Sequence, residues 1–115
     1  MRRIYGYATI GVLLGATLFL AGNAGADEYS QGKKLYGDKC QICHGVKGDG
    51  NGPAGEALSP KPADFTKPKF WQGDADQKIT DTIENGHGMM PSFDLDPAEI
   101  KEIIDYLSHT FKPAQ

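Results

Sequence analysis

The chain has 115 residues, with 12 Lys and Arg against 15 Asp and Glu, for a formal net charge of −3. That length leaves room for one small domain, and an acidic balance without a basic patch speaks against nucleic acid as a partner. The chain has only two cysteines, so no other thiol competes for either of them, and a simple disulfide is the bland reading of the pair.

Residues 1–26 read as an address. Arg2 and Arg3 form a positive start, and Ala8 to Ala21 is an uncharged, mostly apolar run of 14 residues. Ala24-Gly25-Ala26 is a small-residue cleavage site. The apolar run is short for a membrane span of about 20 residues. Cleavage after Ala26, export to the periplasm and no stable membrane insertion are expected, with an uncleaved anchor as the alternative. The remaining domain, 27–115, keeps ten lysines and no arginine against fifteen acids, a net charge of −5. The balance is +1 up to Lys69 and −6 from Phe70 onward. Such asymmetry orients docking to a charged partner, or simply keeps a small protein soluble.

The first helix is predicted from Ser30 to Lys39, with Ser30 as N-cap and Leu35 and Tyr36 facing inward. Gly32 lies one turn before Tyr36 and leaves room for another helix. This helix leads into Cys40-Gln41-Ile42-Cys43-His44. Two cysteines at this spacing followed by histidine read as a c-type haem attachment site. The thiols add to two vinyl groups of one haem, and three residues are close to one helical turn, so both sulfurs reach one edge of it. His44 then falls where its imidazole can bind the iron. A thioredoxin-like pair lacks its βαβ context, and a zinc site lacks a second Cys/His pair. Haem attachment of this kind occurs outside the cytoplasm in bacteria, so the motif and the export signal support each other. A domain this small needs a staple. One covalent haem would be that staple, and without it the domain is expected to fold poorly.

A glycine-rich stretch follows, from Gly45 through Gly55 to Pro60-Lys61-Pro62. It has no Gly-Lys-Ser/Thr for phosphate. The twelfth position counted from Asp49 is Pro60, where a calcium loop requires Glu. It reads as a flexible chain turning tightly beside the cofactor. The second helix is predicted from Asp76 to Asn85, with Ile79 and Ile83 on one face and Gly86 as its stop. The third opens on Asp96-Pro97-Ala98-Glu99, an N-cap, an N1 proline and an N3 acid. Ile100, Ile103, Ile104 and Leu107 follow as an amphipathic stripe, Pro113 lies past its end, and His109 in the last turn suits the helix dipole. No segment alternates as a strand would, and there are no repeats.

Cys40 to Gly45, the glycine run, Pro60-Lys61-Pro62-Ala63-Asp64-Phe65 and Met90-Pro91 together resemble the class I, single-haem cytochrome c family, in its small bacterial periplasmic branch. The resemblance runs from Gly32 to Leu107. It implies an all-α, cytochrome c-like fold of three main helices, with long loops wrapped around one covalent haem. It also implies that the sixth iron ligand is the Met directly before Pro, here Met90. Met89 is the neighbouring rival, and His87 would make a bis-His site. Gly32, Tyr36, Ile103 and Tyr106 match the family's crossing of first and last helices. The carbonyl that orients His44 comes, by the resemblance, from the backbone just before or at a proline, and Pro53, Pro60 and Pro62 compete for that place. The indole N–H of Trp71 donates to a haem propionate or the ring simply packs in the core.

The implied function is one-electron transfer by a His44/Met90-ligated haem c, in a monomer that meets redox partner proteins as donor and acceptor. It is not expected to be an enzyme. The electron leaves through the haem edge beside Cys40 and Cys43, rimmed by Lys33, Lys34, Lys39 and Lys47. Two alternatives remain: a haem subunit permanently bound to a larger redox complex, and a haem enzyme or gas sensor with an open sixth site, against which Met90-Pro91 argues.

Overall fold

The computed structural model describes residues 28–115, so the expected export signal and cleavage site lie outside the described residues. Four helices carry the fold: α1 (Ser30–Lys39), α2 (Gln41–His44), α3 (Ala75–Asn85) and α4 (Pro97–Phe111). Two 3-10 turns, Gly55–Ala57 and Pro68–Trp71, interrupt the long connection between α2 and α3. Among the described residues there is no strand, only an isolated antiparallel bridge between His87 and Met90. No described helix is long and apolar enough to cross a membrane. This is the all-α, cytochrome c-like architecture that the sequence leads one to expect, with α2 as an additional single turn.

The start of α4 follows its sequence closely. The Asp96 carboxylate accepts from the Glu99 N–H at 2.8 Å, and the Glu99 carboxylate accepts from the Asp96 N–H at 3.0 Å. This reciprocal pair satisfies two donors that a helix start leaves open. The stripe Ile100, Ile103, Ile104 and Leu107 is buried and continues one turn further to Phe111. Helix α1 is more polar, yet Gly32, Leu35 and Tyr36 form one buried face against α4. At Gly32 a Cβ atom would collide with the Glu102 carbonyl and approach the Tyr106 Cβ to 2.8 Å. The two backbones touch there, and only glycine permits it.

Two boundaries differ from expectation. The N-cap of α1 is Tyr29 rather than Ser30, which is the first helical residue. The cap of α3 is Asp74, whose carboxylate accepts from the Gln77 N–H at 3.1 Å, so the helix begins at Ala75. His109 is exposed at the end of α4 as expected, and it also stacks on Tyr29, with ring centroids 4.1 Å apart and planes within 10°.

The core is one cluster. Leu35 and Tyr36 of α1 meet Ile100, Ile103, Ile104, Leu107 and Phe111 of α4, and Ile79 and Ile83 of α3 close one side. Phe65 and Trp71 enter from the loop.

Candidate functional site

The haem-type motif sits at the end of α1 and in α2. Cys40 ends α1, its N–H donating to the Tyr36 carbonyl at 2.9 Å. The N–H groups of Cys43 and His44 both donate back to the Cys40 carbonyl, at 3.2 and 2.9 Å. The turn therefore places the two thiols one helical turn apart and His44 directly after them. Both thiols are free. Burial pushes the Cys40 thiol up to about 11, whereas a reactive disulfide-exchange cysteine has its thiol pKa lowered.

A one-turn helix leaves its last carbonyls without partners. The glycine-rich loop supplies them, running back along α2. Gly50 N–H donates to His44 at 2.8 Å, Gly52 N–H to Cys43 at 3.1 Å and Ala54 N–H to Ile42 at 2.9 Å. Further along, a Cβ at Gly55 would collide with the Cys43 carbonyl. The glycine run is thus a fitted backbone clasp, and not the flexible chain its composition suggests. The Tyr36 hydroxyl completes the clasp, donating to the Gly45 carbonyl at 2.6 Å in the interior. Burial raises the Tyr36 pKa, so the phenol keeps its proton.

His44 is 8% exposed. Its Nδ1 lies 3.1 Å from the Ala63 carbonyl. A carbonyl only accepts, so Nδ1 bears the proton. Burial lowers the His44 pKa, against a smaller opposing effect of that hydrogen bond. The ring is therefore neutral, and Nε2 carries a lone pair. Phe65 lies flat on the imidazole, with centroids 4.6 Å apart and planes within 16°. The orienting carbonyl thus belongs to Ala63, and not to Pro53, Pro60 or Pro62. The residue after Pro62 is the one that reaches.

These groups open on a cavity of about 500 Å³. Its walls include Cys40, Cys43 and His44, then Leu58, Pro60 to Ala63 and Phe65, then Ile79, Thr82 and Ile83 of α3. Ile103 and Leu107 of α4 complete it, with His87, Met89 and Met90 from the loop after α3. The loop is closed by the bridge in which the His87 and Met90 backbones exchange hydrogen bonds of 3.0 and 2.9 Å. Phe93 N–H ties it to the Ile83 carbonyl at 2.8 Å. Met90 is half-buried and packs on the core, whereas Met89 is 65% exposed and His87 is exposed.

Two expectations change here. The Trp71 N–H donates to the Phe65 carbonyl at 2.7 Å, so its hydrogen bond serves the backbone rather than a propionate. Of the four lysines expected at the rim, only Lys39 lines the cavity, and Lys61 and Lys78 join it. Lys34 instead pairs with Asp38. Lys78 donates to the Phe70 carbonyl at 2.7 Å and lies 4.5 Å from the Phe70 ring centroid. Sequence pattern alone gives no individual role to Ala63, Phe65 or Lys78, although the first two stand inside the distinctive Pro60–Phe65 stretch.

The donor set suits a haem c. An apolar cavity holds two free thiols at one-turn spacing, a neutral imidazole with a fixed tautomer and a soft thioether from another segment. A family model described as cytochrome c oxidase, cbb3-type, subunit III matches residues 27–107. No curated protein matches the chain. The family match spans most of the 115 residues and all of the cavity, and so the chain belongs to this family of cytochrome c domains, whose work is haem-based electron transfer.

Proposed function

We propose that the protein is a periplasmic electron carrier with one haem c, attached through Cys40 and Cys43 and ligated by His44 and Met90. The observation that carries this reading is the cavity itself, where segments far apart in sequence bring these four side chains to one apolar space. When bound, the haem supplies a ferric/ferrous couple whose potential a Met ligand raises. The protein's own residues do the rest. Ala63 holds the His44 proton at Nδ1 and leaves Nε2 to ligate. Met90 is favoured over Met89 and His87 because it alone of the three packs on the core. Ile79, Ile83, Ile103 and Leu107 keep water from the cavity wall. Lys39, Lys61 and Lys78 set positive charge around it, towards the carboxylates that haem c carries and towards an acidic partner. Residues 1–26 act as a cleaved export signal that delivers the domain 27–115 to the compartment where thioethers form. The protein is a carrier and not an enzyme.

The test is the protein purified from a periplasmic extract. One haem should resist acidic acetone, and the reduced form should not bind carbon monoxide. A haem that extracts, or an intact mass equal to bare polypeptide, would end this reading. Ready binding of carbon monoxide would move the protein to the class with an open sixth site.

A second reading, a permanently bound subunit of a redox complex, draws on the family's description and on one observation. Ile42, 61% exposed, and Met89 both stand on the cavity lining and face solvent, as an apolar docking surface would. Size-exclusion of the native protein separates the two: a free monomer supports the carrier, and co-elution with a larger complex supports the subunit.

A further inference from the structure

We infer that Trp71 is a positioning residue for His44, acting through the strap of residues 63–65. The inference rests on the reading that His44 ligates haem iron.

The strap grips the imidazole in two ways. The Ala63 carbonyl takes the Nδ1 proton, and the Phe65 ring lies on the face of the imidazole. Together they fix rotation about the side chain and the tautomer, and they set how much electron density the ring gives to a metal. The strap itself must then be stiff, and Phe65 shows how. Its N–H donates to the Gly48 carbonyl at 2.7 Å, and its own carbonyl accepts from the Trp71 indole at 2.7 Å. Between the two gripping residues, the Asp64 carboxylate accepts from both the N–H and the hydroxyl of Thr66, at 2.9 and 2.6 Å. Main-chain and side-chain partners thus hold every residue from 63 to 66.

Of these partners, the Trp71 indole is the only side chain that reaches Phe65 from outside the strap with a hydrogen bond in the interior. Both residues are buried, so neither group finds water if the other is removed. Trp71 is in turn held from both sides. The Phe70 ring meets it edge-on at 5.2 Å, and the Lys112 ammonium sits 5.5 Å from its centroid.

The experiment compares wild-type holoprotein with Trp71→Phe, which keeps an aromatic ring and loses the donor, and with Phe65→Leu, which keeps the carbonyl and loses the stacked ring. Haem-methyl proton shifts in the ferric form report the orientation of the imidazole plane, and the reduction potential reports its donation. Slackening the strap weakens the Nδ1–H bond to Ala63. The imidazole then donates less and favours the ferric form less. Both variants should raise the potential, by roughly threefold in the reduction equilibrium constant, below the tenfold or more typical of groups bonded directly to a ligand. Both should move the methyl shifts in the same sense and retain covalent haem. Unchanged shifts and potential in both, with only a lower Tm, would overturn the inference and leave the haem assignment standing. A wild type without covalent haem would instead overturn the assignment, and this inference with it.

Discussion

Apolar side-chain packing holds the contact between α1 and α4, whereas hydrogen bonds to the main chain hold residues 45–72 around α2. In the first region the order comes from buried Ile103, Ile104, Leu107 and Tyr36, and from a capping box. In the second, three carbonyls of a single helical turn receive three loop N–H groups, and Phe65 is held at both its amide and its carbonyl. The first region builds a frame that many apolar residues could fill. The second builds a template, where the position of one carbonyl decides what the imidazole does. Stability and redox tuning should therefore respond to different substitutions.

The sharpest way to break the frame is Gly32→Val. Its Cβ would enter the Glu102 carbonyl, and overpacking of this kind costs about 3 kcal/mol. Tm of the holoprotein should fall by about 15 °C for a domain of this size, with the potential of the folded fraction unchanged. Thermal unfolding followed by circular dichroism checks the first, and potentiometric titration the second.

Met90→Ala tests the other half. The potential should fall by on the order of 0.1 V, within the ~0.8 V that axial ligands span, and the reduced iron should open to carbon monoxide. Met89→Ala should leave both nearly as in wild type. The reverse pattern would transfer the ligand to Met89, and loss of the Met signature in His87→Ala alone would point to a bis-His site.

Gly55→Ala sharpens the comparison within the clasp. The added methyl meets the Cys43 carbonyl, so α2 must shift. A loss of about 1–2 kcal/mol is expected from overpacking, together with a displaced potential, which Gly32→Val should not show. Equal potentials in the two variants would remove the distinction between frame and template.

The smallest effect belongs to the start of α4. Asp96→Ala removes the cap accepting from Glu99 and should cost about 1 kcal/mol. Denaturant unfolding measures it, and the absorption spectrum should remain that of wild type.

The same contrast explains which features are legible in the sequence and which are not. Helix α4 is spelled out by Asp96, Pro97, Glu99 and the isoleucine stripe, because caps and periodicity are side-chain signals. Cys40, Cys43 and His44 are legible as one closely spaced motif and Met90 through the family resemblance, and the structure brings all four to the cavity lining. Ala63 is not legible, since its role belongs to a carbonyl that every residue possesses. Composition makes the clasp look slack for the same reason: glycine marks both a flexible chain and a backbone pressed against another. The lysine rim differs from expectation because Lys33 and Lys34 of α1 and Lys47 of the following loop do not reach the cavity, while Lys61 and Lys78 arrive from distant segments.

The touching of α1 and α4 at Gly32 also bears on how the chain assembles. Gly32 and Glu102 stand about 70 residues apart, and the entropy of closing a loop rises as (3/2)RT ln n, about 0.6 kcal/mol for each doubling. Contacts of such long range are slow to form. The hydrogen bonds from Gly50, Gly52 and Ala54 back to α2 enclose much shorter loops. The expected order is therefore short loops first and the junction of the two ends last. Pulse-labelled amide exchange should find residues 50–54 protected before those of α1, with the seam at Gly32 the last to close.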